Sequence, residues 1–178
     1  MSELLDREAL EEVLRQLGAR LVALGVSAEL YVVGGAAIAL AYDSRRLTRD
    51  VDAIAVPADV VFQEARAMAV ERRWLSSDWL NSRVAPMVPR LIDSDAVEAL
   101  SAPGISVNVA SPRHLLAMKM RAARGERDID DIVVLARELS LQDVAEVLAV
   151  ADEVWGDGMV RPDAAFLVGE ALRARGFG

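Results

Sequence analysis

A glycine pair closes one apolar run, Val33-Gly34-Gly35-Ala36, and an Asp-x-Asp pair sits inside the next, Arg49-Asp50-Val51-Asp52-Ala53-Ile54. No other stretch restricts the chain as much. Two glycines at the end of an apolar run mark a place where backbone turns tightly or a ligand approaches closely, because glycine has no Cβ. In a strand, residues i and i+2 point to the same face. A strand over 49–56 therefore sets Asp50 and Asp52 side by side, about 6–7 Å apart by strand rise. Such a carboxylate pair suits a shared hard cation such as Mg²⁺, which takes oxygen ligands and bridges to substrate phosphates. The glycine pair lets a phosphate approach the backbone of Gly34 and Gly35, and a helix starting directly after it, at Ala36, would aim free backbone N–H groups at that phosphate. The pattern points to metal-dependent phosphoryl or nucleotidyl transfer.

Composition narrows the class. The chain has 178 residues, enough for one domain or one domain with a helical extension. It is 53% apolar but only 4% aromatic, so aliphatic residues and alanine must fill the core. With no cysteine, disulfides and thiolate metal sites are excluded. No apolar run approaches the roughly 20 residues that span a bilayer. The acidic, amphipathic start is unlike a signal peptide. Both features point to the cytoplasm and away from membranes. A net charge of −8 argues against generic nucleic-acid binding. One local exception is basic: Arg113, Lys119, Arg121, Arg124 and Arg127 against Glu126. Lys119 is the only lysine in the chain.

Periodicity predicts a helix over 3–24, with Ser2 as N-cap and Gly25 as its stop. Strands are expected at Glu29–Val33 and Arg49–Val56, with a short helix Ala36–Tyr42 between them and a helix over 58–73 after Pro57. The segment 74–104 is broken by Trp74, Trp79, Pro86, Pro89 and Pro103, and Val88–Ile92 is its best strand candidate. Ile105–Ala110 alternates and reads as a further strand. Ser111-Pro112 opens a helix with proline at its first position. Helices are expected over 127–139, 141–150 and 162–175. The fold class is α/β: a mixed sheet flanked by helices, followed by a helical C-terminal half. The division expected is an α/β domain over 1–140, with the first helix packed on it, and a helical extension over 141–178.

The Gly34-Gly35 and Asp50-x-Asp52 pattern resembles the nucleotidyltransferase superfamily that shares the DNA polymerase β fold. The resemblance implies that Asp50 and Asp52 hold Mg²⁺ (or Mn²⁺), and that an NTP is the co-substrate, attacked in line at its α-phosphorus. A second block, Leu115-Leu116-Ala117-Met118-Lys119-Met120-Arg121 followed by Arg127-Asp128-Ile129-Asp130-Asp131, resembles the AbiEii/MenT-type toxin branch and related small uncharacterised nucleotidyltransferase-like proteins. In that likeness Lys119 neutralises triphosphate charge as a point cation. Asp128 or Asp131 fixes a cation or acts as base, and the choice between them stays open. Thr48-Arg49-Asp50 resembles the lead-in of the same branch, and Arg46 and Arg49 flank the metal site as anion contacts. Many active relatives carry a third carboxylate on a neighbouring strand. Here the expected strand, 105–110, offers Ser106 and Asn108 instead, with Asp93 and Asp95 as possible substitutes. The single histidine, His114, reads as a capping or solvent-facing residue.

The function expected is Mg²⁺-dependent transfer of a nucleotide from an NTP to the 3′ end of tRNA or to a protein side chain, as the toxin of a toxin–antitoxin pair with a cognate antitoxin as partner. Rival readings are a small-molecule, antibiotic-type nucleotidyltransferase and a degenerate fold that binds or regulates. Oligomeric state is not encoded in any motif.

Overall fold

The computed structural model describes residues 4–123 and 125–178. The expected N-cap Ser2 and the basic residue Arg124 lie outside the described residues. The chain divides into two compact units: residues 1–86 with 96–110, and residues 87–95 with 111–178. The expected boundary at residue 140 falls inside the second unit.

In the first unit, helix α1 (Arg7–Ala23) starts where the Asp6 carboxylate accepts the Ala9 N–H at 2.9 Å. It ends before Gly25, whose φ of +70° is the left-handed stop its sequence position predicts. Leu10, Val13, Leu14, Leu17 and Leu21 bury one stripe of α1. Strand β1 (Ala28–Val33) runs into a four-residue helical turn, α2 (Gly34–Ala37), which widens into a π-helical turn over Ile38–Tyr42. Strand β2 (Val51–Val56) returns antiparallel to β1, and α3 (Ala58–Glu71) follows Pro57.

Segment 74–104 departs from expectation. Among the described residues Val88–Ile92 forms no strand. The strands are instead β3 (Leu80–Asn81) and β4 (Val97–Ala102), and β4 hairpins into β5 (Ile105–Val109) through Pro103-Gly104. β3 is too short to show a period. β4 is an edge strand with only Leu100 fully buried, so its apolar signal is weak.

These strands make one mixed sheet, ordered β3-β2-β1-β5-β4. This is the α/β architecture expected from the sequence. Register puts Leu30 beside Ala55 and Val107, and Val32 beside Ala53 and Val109. Those residues are all buried and share one face. The opposite face carries Asp52, Ile54, Tyr31 and Asn108, each half-buried or exposed. Glycine allows α1 to seat directly on the hairpin. A Cβ on Gly18 would lie 2.6 Å from Ile105 Cγ2, and one on Gly104 would lie 2.3 Å from the Gly18 carbonyl oxygen. Trp79 is fully buried and donates its indole N–H to Ala65 O at 2.9 Å, which ties the approach to β3 against α3.

The second unit is a bundle of α4 (Pro112–Ala122), α5 (Glu126–Glu138), α6 (Val144–Trp155) and α7 (Pro162–Arg173). Ser111 caps α4 by accepting the His114 backbone N–H at 3.3 Å. Leu115, Leu116, Met120, Ile132, Leu135, Val147, Ala151, Val168 and Leu172 form its core. The helix expected from 141 starts instead at Val144, because Ser140 adopts φ +57° and Asp143 caps the new helix. No helix among the described residues is long and apolar enough to cross a membrane.

Here His114 corrects its expected exposure. Its ring is buried, with Nδ1 3.2 Å from Asp93 Oδ1 and Nε2 3.1 Å from Leu91 O. Asp93 also accepts the Ser111 N–H at 2.8 Å. Asp93 is thus a buried clasp on the start of α4, and Asp95 is exposed.

Candidate active site

The turn after β1 needs glycine. Gly34 has φ +67°, a left-handed conformation that costs other residues about 1–2 kcal/mol. It also lies against an acid: a Cβ there would be 3.3 Å from Asp52 Oδ2. Register places Asp52 directly across from Val33, so the antiparallel pair itself brings the carboxylate to the turn. Gly35 faces the loop before β2, where its Cβ would meet Thr48 Oγ1 at 3.2 Å and Arg46 Nη2 at 3.7 Å. Ala36 is buried in the first turn of α2. The Gly-Gly turn, Asp52, Thr48 and Arg46 therefore share one corner of the sheet.

Thr48 fixes the loop from below. It is buried, exchanges both backbone hydrogen bonds with Leu5, and donates its hydroxyl to Asp50 O at 3.1 Å. Asp50 falls just before β2, not inside it as the sequence suggests. Its carboxylate is about one-third exposed and meets Arg83, Nη2 to Oδ2 at 3.2 Å. Arg46 is half-buried and donates to Leu47 O, and Arg49 is exposed.

The expected neighbouring strand is corrected. Strand β5 pairs with β1, so Asn108 stands across from Tyr31 and Glu98, not Asp52. The strand beside β2 is β3, and the partner of Asp52 is Asn81. Asn81 is buried, and its side-chain oxygen accepts from Arg83 N at 3.1 Å and Arg83 Nε at 3.0 Å. A third arm of Arg83 reaches Asp78 at 3.1 Å. The Asp78 carboxyl is held below the ordinary range, chiefly by a hydrogen bond from the Ser76 hydroxyl and further by the Arg83 charge. Sequence reasoning missed Asn81, Arg83 and Asp78. Their only local signal is a pair of apolar residues followed by polar ones, Trp79-Leu80-Asn81-Ser82-Arg83.

Lys119 and its acids assemble within the second unit. Lys119 Nζ lies 2.9 Å from Asp128 Oδ1 and 2.7 Å from Asp131 Oδ2. Asp131 is buried at 3% exposure. The low exposure of Lys119 strengthens these interactions relative to water. Two other residues of the basic stretch are engaged. Arg113 pairs with Glu153, and Arg121 lies over the Trp155 ring at 4.4 Å.

Among the described residues, no group of three or more His, Cys, Asp or Glu is placed to hold a metal ion. The donor set at Asp50 and Asp52 is two hard carboxylates, with the Asn81 amide across from one of them. That fits Mg²⁺, which is commonly bound by one or two carboxylates and completes its shell with water and substrate phosphates. It does not fit a closed structural site.

An Asp-x-Asp pair at the start of a strand that folds back against a Gly-Gly turn in a mixed sheet is the arrangement of a nucleotidyltransferase-like fold. A crystal structure of an antigenic nucleotidyltransferase-like protein from Paracoccidioides brasiliensis is similar to this chain at TM-score 0.50 and 19% identity, over 97% of this chain and 95% of that one. The chain belongs to the family described as nucleotidyltransferase of unknown function (DUF6036), whose model matches residues 8–158. No curated protein matches it.

Proposed function

We propose that the protein is a Mg²⁺-dependent nucleotidyltransferase that moves a nucleotide from an NTP to the 3′ end of tRNA or to a protein side chain. The observation that carries this reading is the packing of the Asp52 carboxylate against Gly34 in a chain of nucleotidyltransferase family and fold. Asp50 and Asp52 would hold the metal. Gly34, Gly35 and Ala36 would offer backbone to the phosphates, and Arg46 and Arg49 would add charge at the same corner. Bound Mg²⁺ supplies charge neutralisation on the triphosphate and polarises the reacting phosphorus. The acceptor hydroxyl gives up its proton to solvent water as its oxygen bonds to the α-phosphorus. The bond from that phosphorus to the bridging oxygen of the β-phosphate breaks, and pyrophosphate leaves.

Lys119, Asp128 and Asp131 form the second functional set in this reading. The compact ion cluster is what supports assigning the chain to the AbiEii/MenT-type toxin branch, and with it a toxin role, a cognate antitoxin and action in the cytoplasm. Engagement of Arg113 and Arg121 by internal partners, with a net charge of −8, favours a small footprint on any RNA acceptor. Asn81 in place of a carboxylate beside Asp52 supports a second reading, a degenerate fold that binds nucleotide without transfer.

The test is label transfer. The protein is incubated with each α-labelled NTP, Mg²⁺ or Mn²⁺, and total tRNA, with Asp52→Ala as control. Label on tRNA or protein, absent in the variant, establishes the transferase and its acceptor class. Mg-NTP binding without transfer moves the weight to a small-molecule acceptor. Neither binding nor transfer favours the degenerate fold.

A further inference from the structure

Arg83 lies outside both motifs that define the family resemblance, yet it is the residue in direct contact with the Asp50 carboxylate. Three oxygens hold its fork. Asn81 Oδ1 accepts Nε at 3.0 Å, Asp78 Oδ2 takes Nη1 at 3.1 Å, and Asp50 Oδ2 takes Nη2 at 3.2 Å. Asn81 is in turn the register partner of Asp52. The guanidinium is thus anchored from the strand beside the Asp-x-Asp strand, with one arm on the carboxylate proposed to hold metal. The side chains of Arg83 and Asp50 are 64% and 35% exposed. Exposed ion pairs contribute little, about 0–1 kcal/mol, so a divalent cation can displace this arm at small cost.

We propose that Arg83 is a resident counter-cation of the Asp50 carboxylate that exchanges its partner when metal and nucleotide arrive: it yields Asp50 to the divalent cation and transfers that arm to a phosphate of the incoming triphosphate. This rests on the nucleotidyltransferase reading and extends it to a residue that assists phosphate binding. The chemistry is suited to the exchange. Carboxylate and phosphate oxygens are both anionic acceptors for a guanidinium N–H, so Nη2 can pass from one to the other while Nε and Nη1 keep their partners, a division of arms that a lysine cannot match. The Asn81 oxygen, bound to both the backbone N–H and Nε of Arg83, keeps the fork beside the site after Asp50 is released. The position is also economical in charge. Without ligand, Arg83 offsets the repulsion between Asp50 and Asp78, and with ligand it offsets part of the triphosphate.

The experiment measures Mn²⁺ binding to the full chain by electron paramagnetic resonance, first with Mn²⁺ alone and then with a non-hydrolysable ATP analogue. Wild type, Arg83→Gln, Arg83→Lys and Asp52→Ala are compared, each checked for an unchanged melting transition. Removing the competing cation in Arg83→Gln is expected to tighten binding of Mn²⁺ alone by about two- to fivefold, the larger figure being ~1 kcal/mol by RT ln K. The same variant is expected to weaken Mn-analogue binding about tenfold. Arg83→Lys keeps a charge near Asp50 and is expected to bind free Mn²⁺ like wild type while losing part of the analogue affinity. Mn²⁺ bound by Arg83→Gln and not by wild type also supports the exchange. Arg83→Gln with unchanged or weaker Mn²⁺ binding, or with unchanged analogue binding, overturns it. If Asp52→Ala binds Mn²⁺ as tightly as wild type, the metal site itself is misplaced, which separates failure of the functional reading from failure of the Arg83 role. No Mn²⁺ binding by any protein overturns both.

Discussion

Asn81 stands directly across the parallel β2–β3 pair from Asp52, with its side-chain oxygen turned to Arg83. A residue in register with a carboxylate shares its face of the sheet. Asn81→Asp keeps an acceptor for Arg83 and places a third carboxylate there. It is expected to raise Mn²⁺ affinity several-fold, measured by calorimetry. Asn81→Ala removes both hydrogen bonds to Arg83 from a buried position and is expected to cost about 1–2 kcal/mol in chemical denaturation.

Gly34 carries two constraints at once. Its φ of +67° and the 3.3 Å approach to Asp52 Oδ2 both resist a side chain. Gly34→Ala is expected to destabilise by about 1–2 kcal/mol and to weaken divalent binding by shifting Asp52. Gly35→Ala lacks the backbone strain but must move Thr48 Oγ1, which would lie 3.2 Å from the new Cβ. Thermal melts of the two variants should rank Gly34→Ala lower.

Lys119 is held by two acids, and one of them is buried. Lys119→Ala leaves Asp131 without its ammonium partner and is expected to lose about 3 kcal/mol of stability. The paired change Lys119→Met with Asp131→Leu is expected to recover most of that loss, because well-packed apolar replacements of buried ion pairs are often neutral. If Lys119 acts in transfer, the paired variant stays inactive despite its recovered melt. Nucleotide affinities add a second readout: a phosphate role lowers triphosphate binding more than monophosphate binding.

Asp78 gives a pH signature. Its carboxyl titrates below the ordinary value, first through the Ser76 hydroxyl and then through the Arg83 charge. A depressed folded-state value means that the stabilisation is complete above the unfolded value near ~3.9 and is lost as pH falls through the folded one. Ser76→Ala is expected to raise the Asp78 midpoint in a carbon-detected NMR titration. The loss of the Arg83–Asp78 contact then begins at higher pH.

Residues that depend on near neighbours in the chain were readable before any folding was considered. The Gly34-Gly35 turn, the alternation of β2 and β5, the Gly25 stop and the Ser111-Pro112 helix start are each set by turn chemistry or side-chain period over a few residues. The Asp50-x-Asp52 pair and the Lys119 block carried their own resemblance, because each is compact in sequence. What tertiary structure alone decided is which strand lies beside Asp52. A two-residue β3 has no period to detect, and the Trp79 just before it is buried with its indole N–H on α3, a contact from 14 residues along the chain. That pairing puts Asn81 and Arg83 at the carboxylates and leaves Asn108 two strands away. The burial of His114 against Asp93 was likewise invisible, since those residues lie 21 positions apart and meet only when segment 87–95 folds onto α4. Sequence fixes groups that short-range geometry holds together, while packing chooses the partners that come from far along the chain.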